Sequence, residues 1–84
     1  MRDHKAQLMQ AVALAIDGEW DAAHQIVQAH SDVTANWIHA LLHKVEGDEW
    51  NSNYWYQKTA GKQYTDYADT ISELNAIQAV LNAH

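Results

Sequence analysis

The chain has no proline and only three glycines, at positions 18, 47 and 61, and each glycine closes a stretch of helical periodicity. A residue without Cβ supplies the left-handed conformation that commonly ends a helix. β-branched residues are scattered and strict alternation is absent, so the expected class is all-α. A first helix is expected from about Asp3 or His4 to Asp17. Leu8, Ala11, Val12 and Ala15 form its apolar stripe, widened by Met9 and Ile16. A second helix, from about Glu19 to Ala29, places Trp20, Ala23, His24 and Val27 on one face. Ser31 or Asp32 caps a third, to about Glu46, with Ile38, Leu41, Leu42 and Val45 inward. Asp48 caps a fourth from about Glu49 to Ala60. The last, from about Asp66 to Asn82, is expected to bury Tyr67, Ile71, Leu74, Ile77 and Leu81.

These segments make a single domain: a hairpin over 4–30, a hairpin over 33–61 and a terminal helix over 66–82. At 84 residues the chain has one modest core, and such a chain buries roughly 60% of its unfolded surface. Without cysteine, neither disulfides nor thiolate metal sites can supplement that core. The formal charge of −6 repels phosphate backbones and no basic stripe offsets it, so nucleic-acid binding is not expected. Met1-Arg2-Asp3-His4-Lys5 leads straight into an amphipathic segment, with no long apolar run. No membrane partner is expected, and a cytoplasmic location is the expectation.

An internal echo supports the paired helices. Glu19-Trp20-Asp21 recurs thirty positions later as Glu49-Trp50-Asn51, and His24 then aligns with Tyr54. Gly18-Glu19-Trp20 followed by Ala23 resembles the turn and second helix of a tetratricopeptide-type repeat. Gly47-Asp48, then Tyr54-Trp55-Tyr56-Gln57-Lys58 and Ala60, resembles the related Sel-like repeats, with Ser52 replacing their usual alanine. The resemblance implies tetratricopeptide-like antiparallel hairpins, with the terminal helix capping an open end. A longer similarity runs through Ala23-His24, Trp37, His39-Ala40, Leu42-His43, Glu46-Gly47-Asp48, Asn51 and Tyr54-Trp55-Tyr56. It resembles a family of small bacterial and fungal proteins with a Trp-x-His-Ala-x-x-His-(Arg/Lys)-x-Glu-Gly-Asp pattern. That resemblance implies a shared fold unit and names no reaction.

The chemistry concentrates between Trp37 and Tyr56, which hold three of the four tryptophans and two of the four tyrosines. His39, His43 and Glu46 recur at helical spacing and form a polar stripe on a flank of the third helix. That flank can line a groove with His24, Asp48, Asn51 and Tyr54. Three readings compete for it. The favoured one is a structural polar network in which imidazoles, carboxylate and aromatic donors satisfy one another. A second is a metal site: histidines at i and i+4 chelate readily, and Glu46 adds a third ligand. Zinc is the first candidate ion and iron another, with water or His24 completing the shell. No Glu lies between the histidines as in HExxH enzymes, because Ala40, Leu41 and Leu42 fill the gap.

The third reading is acid–base or ligand chemistry in a pocket walled by Trp37, Tyr54 and Trp55. No poised nucleophile or phosphate-cradling loop accompanies it, so no catalytic residue is assigned and no cofactor is required. Trp50 and Tyr54 are expected in the core, whereas Trp55 and Tyr56 are candidates for an interface. His4, His30 and His84 are expected to be solvated near the ends of elements. The functional expectation is a non-enzymatic module that binds a protein partner or self-associates as a homodimer. The alternative is a metal- or small-ligand-binding protein, hydrolytic in one version, centred on His39, His43 and Glu46.

Overall fold

Three aspartates set where helices begin. The side chains of Asp32, Asp48 and Asp69 accept from the backbone N–H groups of Ala35, Asn51 and Ile71, which would otherwise be orphaned in a first turn. In the computed structural model, which describes residues 4–83, the chain forms five α-helices and no strand among those residues. They are α1 (His4–Ile16), α2 (Trp20–Val27), α3 (Val33–Val45), α4 (Glu49–Tyr56) and α5 (Thr70–Asn82), with a 3₁₀ turn at Tyr64–Asp66. Asp3, offered as a helix start, and His84 lie outside the described residues. No described helix is long and apolar enough to cross a membrane.

Short links return the chain so that α1 packs on α2 and α3 on α4, while α5 packs across α1 and α3. Gly18 and Gly47 make the first and third turns at φ values of +83° and +78°, where a Cβ would be strained. The core joins Leu8, Val12, Val27, Ile38, Leu41, Leu42, Leu74 and Ile77, all with almost no exposure. α3 is its axis, buried continuously from Ala35 to Leu42.

α4 departs from the expectation. It ends at Tyr56 rather than Ala60, because Lys58 and Thr59 donate to carbonyls three residues back and tighten the last turn. The Thr59 hydroxyl also donates to the Tyr56 carbonyl, and Ala60 and Gly61 then take positive φ. Its inward face is also different. Trp50 and Tyr54 are exposed, at 75% and 44%, while Ser52 and Tyr56 are buried. A small side chain lets α4 approach α3 closely, and the Ser52 hydroxyl donates to the Ala40 carbonyl at 2.8 Å.

The start of α5 moves as well. Asp66 accepts from the Gln63 N–H to close the 3₁₀ turn, and Asp69 caps the helix through Ile71 and Ser72. Tyr67 therefore precedes the helix, and Ile71, expected inside, is exposed at its first turn. Glu73 is buried in its place.

Candidate functional site

On opposite flanks of α3 sit two polar clusters. His39 and His43, one turn apart, form the first with His24 of α2. The Nε2 atoms of His24 and His39 are 2.8 Å apart, a hydrogen bond in which one ring N–H donates and the other ring nitrogen accepts. His39 and His43 lie nearly parallel with centroids 5.2 Å apart, and His24 stands edge-on to both. The Trp55 indole of α4 covers His39, stacked at 3.9 Å and 15°. One ring nitrogen from each histidine can be chosen so that all three lie within 4.8 Å of one another.

Burial, and then the two neighbouring imidazoles, push His39 down to about 4. It is therefore neutral at pH 7, with a lone pair to offer. His43 carries a different signature. Its Nδ1 is buried and has no hydrogen-bond partner. Facing it at 3.6 Å each are Glu46 Oε1 and Asp48 Oδ2, too far for a hydrogen bond but close enough for electrostatic attraction. Asp48 is held by Asn51, whose side chain donates to Oδ2 at 2.6 Å and whose backbone N–H donates to Oδ1. These two Asn51 bonds, with a smaller contribution from His43, keep the Asp48 carboxyl below its usual range.

The donor set suits a borderline divalent ion: three imidazoles, which such ions prefer, with carboxylates set one ring further out. Zn–N bonds of about 2.0–2.1 Å in a tetrahedral arrangement place nitrogens about 3.4 Å apart. His24 and His39 would spread from 2.8 Å, and the wider separations, at most 4.8 Å, would contract. Side-chain rotation is of that scale. The donors that converge are His24, His39 and His43. His24, expected only to complete the shell, is one of the three, and Glu46 lies beyond His43 at 3.6 Å from its Nδ1.

The remaining expected site residues divide. Asp48 and Asn51 join the histidine side. Tyr54 meets Trp55 edge-on and stacks with Trp50 on the exposed face of α4. Trp37 points the other way, so Trp37, Tyr54 and Trp55 do not wall a common pocket. Its indole Nε1 donates to Glu73 Oε2 at 2.8 Å. Tyr56, expected at an interface, is buried and donates its hydroxyl to the same oxygen. Trp55 is half-buried over His39.

Trp37 and Tyr56 belong to the second cluster, whose centre escaped the sequence reading. Glu73 is fully buried, and its Oε1 pairs with Lys44 Nζ at 2.9 Å. That ammonium also donates to the carbonyls of Tyr64 and Tyr67, at 2.8 and 2.6 Å. Burial first, and then the Glu73 carboxylate, push the Tyr56 phenol well above its ordinary range. Each charge here is matched and each donor named has an acceptor. His4 and His30 have partners of their own: His4 pairs with Asp32 at 2.6 Å, and His30 bonds Gln7 at 2.9 Å.

Compared with protein-family models, curated proteins and solved structures, the chain has no match.

Proposed function

We propose that this chain is a metal-binding helical module that holds one divalent transition-metal ion, zinc in class, through His24, His39 and His43. The observation that carries this reading is the convergence of three imidazoles on one point, around a buried histidine that stays neutral. A purely structural network gives each buried polar atom a partner. Here the bond between His24 and His39 joins two would-be ligands, and Nδ1 of His43 lacks a partner. An ion at the centre would tie α2 to α3 beneath the Trp55 indole. Calorimetric titration of the tag-free chain with zinc, nickel and ferrous iron tests this. The expected result is submicromolar binding of one ion per chain, lost in the His39→Ala/His43→Ala double variant. No saturable binding, or binding that survives the double variant, would overturn it.

A protein-interaction reading is favoured by a different observation, the exposed Trp50–Tyr54 stack on α4. Under this reading the aromatic face mediates self-association. Sedimentation across concentration would show a dimer weakened by Trp50→Ser. A monomer at every concentration would remove self-association.

A further inference from the structure

We propose that Asp48 and Glu46 form the outer shell of this metal site. They act through Nδ1 of His43, so that its ring presents Nε2 to a zinc-class divalent ion. The inference rests on the metal-binding reading and adds to it the groups that orient one ligand and balance the ion's charge. A ligating histidine almost always donates its second ring N–H to a carboxylate, carbonyl or water, which fixes the tautomer and strengthens the ligand. His43 has the buried nitrogen for this role, and two carboxylate oxygens face it at 3.6 Å.

The chain builds this arrangement locally. Glu46 closes α3 and Asp48 opens α4, with Gly47 between them at positive φ. The Asp48 N–H donates to the His43 carbonyl at 2.9 Å, which ties the second acid to the residue it faces. Asn51 then holds the Asp48 oxygen nearest the ring. The result is a relay of position from Asn51 through Asp48 to His43. Asp48 and Glu46 are positioning residues, since neither needs to touch the ion.

Charge gives a second reason for the pair. Three neutral imidazoles leave the charge of a divalent ion uncompensated, and two carboxylates one ring away supply the opposite sign. Coordination at Nε2 makes Nδ1–H a stronger donor. The 3.6 Å separation to at least one acid would then close to a hydrogen bond of about 2.8 Å.

The test compares zinc affinity of the intact chain with those of Asp48→Asn and Glu46→Gln, by competition with a chromophoric chelator. Glu49→Gln serves as a surface control with the same change in charge. Asparagine still caps a helix but has one acceptor oxygen for the two Asn51 donors. Melting of Asp48→Asn in excess chelator should therefore fall slightly below wild type while the variant stays folded. The expected affinity loss is about 10- to 100-fold for Asp48→Asn, smaller for Glu46→Gln and under about 2-fold for Glu49→Gln. Long-range ¹H–¹⁵N spectra should place the His43 proton on Nδ1 in the zinc-loaded wild type, and Asp48→Asn should weaken that signature. Wild type that binds zinc, with Asp48→Asn binding equally well, would overturn the outer shell and leave the metal site standing. An equal loss in Glu49→Gln would overturn it as a general charge effect. Wild type that binds no zinc would overturn both.

Discussion

The two flanks of α3 solve the problem of buried polarity in opposite ways. On one, Glu73 receives Lys44, Trp37 and Tyr56, and the negative charge meets a positive one. On the other, three imidazoles face one another without a counter-charge at their centre, and a buried nitrogen lacks a bond. The first cluster is complete within the protein and docks α5 and α4 onto α3. The second leaves Nδ1 of His43 without a bond inside the protein, and under the proposed function an ion on the imidazole side would complete it. The contrast separates a network that is satisfied by the protein alone from one that the proposed function assigns to a ligand.

The largest effect expected from breaking this contrast is on the closed side. Glu73→Ala strands a buried ammonium together with the Trp37 and Tyr56 donors. Removing one partner of a buried pair costs about 3–5 kcal/mol. Urea unfolding should show a loss of that size, enough to unfold much of a domain this small. A loss under about 1 kcal/mol would mean that the cluster is not the structural one.

The open side should respond to ligand instead. Zinc at one hundred times its dissociation constant should add about 2.7 kcal/mol of stability, visible as a higher melting temperature. His24→Ala should abolish that gain. An equal zinc-induced rise in His24→Ala would place the ion elsewhere.

How far these two clusters could be read from the sequence differs in the same way. Gly18, Gly47 and the Asp32 and Asp48 caps marked the helix bounds up to the start of α4, because those signals act within a few residues. Gly61, by contrast, overshot the end of α4, and the Asp69 cap of α5 was missed. The His39/His43 pair was legible from its spacing, and His24 from its place on the Trp20/Val27 face. Their convergence depends on how α2 docks against α3, which no local pattern states. Glu73 was harder to see, as an acid in a first turn usually faces water. Yet Glu73, Ile77 and Leu81 stand four apart, so the acid lies on the apolar stripe, and Lys44 lies two turns from Trp37. Those spacings were the missed signals. On α4, hydrophobicity pointed to Trp50 and Tyr54, whereas close approach to α3 selected Ser52 for the inside.

Acid should sharpen the contrast in protein kept free of metal by chelator. His39 titrates near 4 in the fold and near 6.5 when unfolded, so between those values the unfolded chain binds more protons. Stability is then full above pH 6.5 and falls as pH drops toward 4. The loss should reach about 2 kcal/mol or less between pH 7 and pH 5. His39→Gln should flatten that part of the profile, and an unchanged slope in the variant would assign it to other groups. The smallest effect belongs to the exposed face of α4, where Trp50→Ser should shift stability by no more than about 0.5 kcal/mol. A larger loss in thermal melts would show that Trp50 is covered in solution.

The most direct measurement follows all histidine rings at once, by long-range ¹H–¹⁵N spectra during a zinc titration. The account expects His24, His39 and His43 to change together and saturate at one ion per chain, while His4 and His30 keep their signals. No change at the three clustered rings, or zinc-dependent shifts confined to His4 and His30, would contradict it.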